Sequence, residues 1–366
     1  MEDSLMMTYP SVYAVEDEYL VCVPVDAECT MWVEVGGKSY FDHSNGILRS
    51  AKYLHIARVP MVALDEARSY KVCLRRIIER KAYFSECGGI EERVFEFRPV
   101  AEKAEYKFVN LADSHSRHEA AARSGSFFGD DLDFLIMNGD VPECSESVDM
   151  FKAIYLISGP ITKGRIPCVF SRGNHDLRGV GADMLADYTP TTRAGESYFT
   201  FHLGPVWGIV IDCGEDKVDE CNEYGHTVCC EVFREEEEAF IRRVVSRKAY
   251  KRYPVRLVVS HMPFNYLIPD KQFQIEIKRY KRWCRLVGRM KPTLMLSGHL
   301  HECYTEAPGG AHDSYGLQPG VAVCSSYVRD QYHVSGAITL SKDAVRVRYA
   351  DSDGGFFAPD DEMPLV

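Results

Sequence analysis

Five apolar runs in the last two-thirds of the chain end in the same manner, and that recurrence limits the possible folds more than any other feature of the sequence. KFVNLA runs into Asp113 and His115, DFLIMN into Gly139 and Asp140, and CVF into the turn Ser171, Arg172, Gly173, Asn174, His175, Asp176. VRLVVS is followed by His261, and TLMLS by Gly298, His299 and His301. Short apolar runs bounded by glycine and polar residues read as buried strands; with helical periodicity between them they define an α/β layer structure. In open sheets of this kind the ligand crevice lies outside the carboxyl ends of the strands. The five runs would then bring two Asp, one Asn and four His to one place, with His175 beside them. Oxygen and imidazole donors without thiolate suit manganese, iron or zinc rather than softer ions.

In this order DSH, GD, GNHD, SHMP and GHLH resemble the motifs of the calcineurin-like metallophosphoesterases. The resemblance implies a four-layer αββα sandwich and two metal ions sharing one carboxylate. Carried over, Asp113, His115, Asp140 and His301 would surround the first ion and Asp140, Asn174, His261 and His299 the second, with Asp140 bridging. Two such ions about 4 Å apart would clamp a phosphoryl group and generate a bridging hydroxide for in-line attack. His175, next to a ligand but outside the set, is the expected general acid. Asp176 or Glu143 would orient its ring, while Arg178, and less directly Arg172, would neutralise phosphate oxygens.

Two departures from relatives narrow the activity. Purple acid phosphatases carry an iron-ligating tyrosine three residues after the GD aspartate, where this chain has Glu143, so their colour is not expected. GDVPECS also lacks the GDxxDRG pattern of the protein phosphatases of the superfamily. The expected reaction is hydrolysis of small phosphate esters, monoesters ahead of nucleotide-like diesters. A non-catalytic binding protein on the same fold is the alternative; the complete ligand set weighs against it.

Residues 1–100 contain YLVCVPV, TMWVEVGG, KSYFDH, KYLHIARVP, SYKVCLRRI and RVFEFRPV, separated by turn-formers such as Gly36-Gly37 and Asn45-Gly46. They read as an all-β sandwich preceding a phosphoesterase domain over 101–366, an order similar to that of purple acid phosphatases. Leu64 and Tyr70 are spaced as in the tyrosine corner of fibronectin type III domains, with Trp32 as a candidate core aromatic. Further on, SVDMFKAIYLISG, EVFREEEEAFIRRVVSRKAY and IEIKRYKRWCRLVGRM each fit a helix with one apolar face. The acidic run 235–238 reads as a solvated helix start and the tail 354–366 as loosely ordered.

A net charge of -11 and a pI near 5.6 argue against a nucleic-acid partner, whose phosphates call for Lys and Arg. No run reaches membrane-spanning length, and the acidic N-terminus lacks the basic start of a signal peptide, so a cytoplasmic protein without a membrane partner is expected. Thirteen scattered cysteines read as reduced thiols. Cys221, Cys229 and Cys230 with His226 lack paired CxxC spacing and are taken as loop thiols rather than a zinc site.

Overall fold

Alternation along the strands sorts side chains between two apolar layers. In Val206–Val210, Val255–Val259 and Leu294–Ser297, residues such as Val206, Leu257 and Leu296 enter one core, while Trp207, Val258 and Met295 enter another. The first core is shared with Phe108, Leu135 and Val169 of a second sheet. The other is closed by Trp283 and Val287 of the helix Ile277–Gly288 and by Ile241 of the helix Cys230–Arg247. On the opposite side the helices His118–Gly125 and Lys152–Thr162 cover the second sheet. The order is helix, sheet, sheet, helix, as expected. The computed structural model from which this is read describes residues 4–50, 52–358 and 360–365.

The larger sheet runs, edge to edge, Asp361–Pro364, Ala344–Asp351, Tyr332–Ser341, Glu105–Leu111, Phe134–Asn138, Pro167–Ser171, Ser11–Val15, Glu18–Pro24 and Leu54–Pro60. Glu105–Leu111, Phe134–Asn138 and Pro167–Ser171 are parallel neighbours, with Val109 opposite Leu135 and Ile136 opposite Val169. In the smaller sheet Val206–Val210, Val255–Val259, Leu294–Ser297 and Val321–Ser325 are likewise parallel. Parallel neighbours end on the same side. The turns carrying Asp113, Asp140 and Asn174 therefore adjoin, and so do those carrying His261 and His299.

An N-terminal β region is present, but it is not sealed off at residue 100. Ser11–Val15 pairs in parallel with Pro167–Ser171, Val12 opposite Pro167, so three early strands extend the larger sheet. Cys29–Val35, Lys38–Phe41, Ser69–Glu79 and Glu86–Glu96 form a separate antiparallel sheet, whose Met31 and Val33 join the main core. That alternation turns Trp32 outward, against Phe41 at 6.3 Å between ring centroids, instead of into the core. Tyr70 is buried, yet its hydroxyl donates to the Gly164 carbonyl at 2.8 Å, after the helix Lys152–Thr162, rather than closing a corner within its own region.

Two further expectations change. The run 235–238 lies within the helix Cys230–Arg247, where Glu237 is fully buried and accepts the Asp212 N–H at 2.7 Å. Glu238 is paired with Arg242 at 2.8 Å and Arg282 at 3.0 Å. Packing of the next helix therefore covers a face that charge alone marks as solvated. The tail supplies the strand Asp361–Pro364, with Pro364 opposite Ala344. Among the described residues no helix is long and apolar enough to cross a membrane.

Tyr70→Phe removes the bond to Gly164 and leaves a buried carbonyl unpaired. It is expected to cost about 1–2 kcal/mol, read as a lower urea midpoint with an unchanged slope.

Candidate metal centre

The backbone is left-handed at Asp113, His115, Asp140, His299 and His301, with φ of 54°, 43°, 51°, 69° and 54°. Such conformations are uncommon for residues other than glycine. Here main-chain bonds pin the turns: Asp113 N–H donates to Gly139 O at 3.0 Å, His115 N–H to Asp140 O at 3.0 Å and Gly298 N–H to His261 O at 2.9 Å.

These turns bring all seven candidate ligands together. Asp113, His115 and His301 offer donor atoms within 4.8 Å of one another, and so do Asp140, His261 and His299. Asp113 Oδ1 lies 3.8 Å from both His115 Nε2 and His261 Nε2, so the two groups adjoin. Asn174 Oδ1 meets His299 Nδ1 at 2.9 Å. Each carboxylate has one oxygen held by main chain: Asp113 Oδ2 accepts the His299 N–H at 2.8 Å and Asp140 Oδ1 the His175 N–H at 2.8 Å. The other oxygen of each faces the imidazoles. His261 Nδ1 donates to Asn138 O at 2.7 Å, which directs Nε2 to Asp140 Oδ2 at 3.1 Å.

Metal ions fit this donor set. Asp113 Oδ1 is buried without a hydrogen-bond partner, a state that costs about 1–3 kcal/mol. His115 Nε2 and His301 Nε2 face each other at 3.3 Å, and two imidazole lone pairs need a proton or a cation between them. The electrostatics agree. Burial pushes Asp113 and Asp140 up, but the His261 imidazole holds both carboxyls below their ordinary range. Burial alone would lower His261; Asp140 and Asp113 raise it to about 10. His299, half-buried and desolvated beside His261, falls to about 4. A proton on His261 thus balances the carboxylates, and a bound cation would release it.

Around the cluster the expected supporting roles are redistributed. Asp176 does not orient His175: its Oδ2 turns back to accept the Gly173 N–H at 2.7 Å, and burial together with Asp140 lifts its carboxyl to about 7. The main-chain carbonyl of Glu143 does so instead, accepting from His175 Nδ1 at 2.9 Å, while the Glu143 carboxylate stands 3.6 Å from His115 Nδ1. Arg178 is anchored by Glu215, which holds its Nε and Nη2 in two bonds of 3.0 and 2.9 Å. Its Nη1 lies 3.2 Å from His175 Nε2 and, being a donor only, makes that nitrogen the acceptor. Arg172 is paired with Asp212 at 2.7 Å.

Glu215 and Asp216 escaped the sequence reading although IDCGED follows an apolar strand as the other five groups do. His333 had no such signal. Its Nε2 donates to Ala112 O at 2.8 Å and its Nδ1 meets Ser124 Oγ at 2.8 Å, bracing the turn before Asp113. The Cys230 thiol accepts the Glu215 N–H at 3.4 Å.

Residues 106–303, over half of the chain, match the family calcineurin-like phosphoesterase, and the chain belongs to that family. It is accordingly a metal-dependent hydrolase of phosphoric esters. Among solved structures, the purple acid phosphatase PPD1 from yellow lupin (Lupinus luteus) seeds aligns with a TM-score of 0.62 at 13% identity, covering 97% of this chain and 74% of that one. PhoD aligns at 0.60 and 10% identity, covering 97% and 89%. Both likenesses are of fold. No curated protein matches the sequence.

A Cβ at Gly173 would stand 2.2 Å from Asp140 Oδ1 and 2.3 Å from its nitrogen. Gly173→Ala is expected to lower metal affinity about tenfold or more, measured by elemental analysis across a metal titration. Burial drives the His333 imidazole from 6.5 to about 4. Below 6.5 the unfolded ring takes up a proton that the folded one refuses until about 4, so stability falls as pH drops through that window. His333→Gln should flatten the slope of thermal midpoint against pH there.

Proposed function

We propose that the chain hydrolyses small phosphomonoesters at a centre of two metal ions to which Asp140 contributes on both sides. The reading is carried by the adjoining donor groups Asp113, His115, His301 and Asp140, His261, His299, each within 4.8 Å, with Asn174 beside the second. Manganese, iron or zinc bound there would supply Lewis-acid stabilisation of a phosphoryl oxygen and acidify a water. Asp113 and Asp140 offset two of the four charges of a divalent pair, and a monoester dianion matches the remainder better than a diester monoanion does.

His175 gives the proton to the leaving oxygen. Its Nδ1–H stays on the Glu143 carbonyl, so the proton must leave from Nε2, where the leaving oxygen would replace the Arg178 Nη1 that faces this nitrogen in the structure. Arg178, clamped by Glu215, positions the ring rather than the phosphate.

His175→Ala should keep its metal by elemental analysis while kcat for a phosphomonoester falls about a hundredfold or more. Chelation should abolish turnover, and added metal restore it. A metal-loaded protein that turns over diesters faster than monoesters would reverse the substrate preference, and one inert to both would remove the hydrolytic reading.

A further inference from the structure

A cleft of about 1200 Å³ lies between the N-terminal region and the segment 186–195, and no candidate metal ligand lines it. Four guanidiniums stand on its walls: Arg49, Arg58 and Arg80 on the N-terminal side and Arg193 on the other. Their partners leave positive charge over. Arg49 Nη1 donates to Asp187 O at 3.1 Å and Arg80 Nη1 to Ser50 Oγ at 2.6 Å; among the described residues neither is paired with a carboxylate. Arg58 and Arg193 share one carboxylate, Glu18, which stands 3.5 Å from Arg58 Nη1. The other bonds of Arg58 go to main chain, Nη2 donating to Thr191 O at 2.8 Å and Thr192 O at 3.2 Å. Burial draws this guanidinium below its ordinary range; Glu18 opposes the shift and Arg193 adds to it. The wall carboxylates are Asp42 and Asp187, and Asp42 is already taken by His55 at 2.6 Å.

Four guanidiniums around one opening, in a chain whose net charge is -11, call for an anion that several of them can share. We propose that this cleft binds a small molecule carrying two or more phosphate groups, at a site separate from the metal centre. A terminal phosphate presents three oxygens on one tetrahedral centre, so it can accept from more than one planar guanidinium fork at once. A single phosphate would leave most of the volume empty, since the cleft is as large as the sites of drug-sized ligands. A long polyanion such as nucleic acid is disfavoured by the acidic remainder of the chain. Bound between the walls, the anion would tie the N-terminal region to the segment 186–195.

The test titrates inorganic tripolyphosphate into the full chain by calorimetry at low salt, in wild type, Arg49→Glu and Arg80→Glu. Binding at the metal centre is common to all three, so the difference between them reports the cleft. Each variant should weaken binding about tenfold or more, because it removes a charge-assisted bond and adds a repulsive charge. Thermal midpoints show that the fold is kept. Arg80 is exposed, so Arg80→Glu decides alone if Arg49→Glu does not fold. Titrations that are the same in wild type and in the folded variants overturn the inference. So does a wild type that holds citrate as tightly as tripolyphosphate, since the cleft would then select charge and not phosphate.

Discussion

Two ionised carboxylates, Asp113 and Asp140, are buried at the ends of neighbouring parallel strands, and the centre of the molecule is arranged to make that tolerable. An isolated buried carboxylate would take up a proton instead. What prevents this is the pooling of imidazoles from the facing sheet, with His261 closest to Asp140, together with main-chain N–H groups on the far oxygen of each carboxylate. The geometry demands close approach. Gly139 and Gly173 leave the room: a side chain on Gly139 would lie 2.6 Å from the His261 ring. Removing a methyl group's worth of space there would disturb both sheets at once.

The strand ends were legible because burial on both faces leaves a plain signal: an uninterrupted apolar run, then abruptly polar residues. That sufficed to place Asp113, Asp140, Asn174, His261 and His299 at one edge. It did not show that five candidate ligands adopt left-handed backbone, since nothing local in Asp, Ser, His or in Gly, His, Leu, His demands it. The turns are held by bonds to other turns. Partner choice was illegible for the same reason: Glu143 supplies its carbonyl rather than its carboxylate to His175, and Arg178 finds Glu215 thirty-seven positions away.

The N-terminal region shows where local pattern misleads. Six β-rich runs with turns between them look like a closed sandwich, and the period-2 signal is real in Cys29–Val35. What it does not encode is which neighbour a strand chooses. Val12 and Tyr13, buried on both sides, pair with Pro167 and Cys168, and Tyr70 reaches Gly164. The N-terminal region and the rest of the chain are thereby stitched together in one hydrogen-bonded layer.

That stitching sets the order in which a nascent chain can assemble. The parallel partner of Ser11–Val15, Pro167–Ser171, is made about 150 residues after it, and Tyr332–Ser341, the strand beyond Glu105–Leu111, later still. Contacts so distant along the chain are slow to form. During synthesis Ser11–Val15 therefore waits for its parallel neighbour until Pro167–Ser171 has been made.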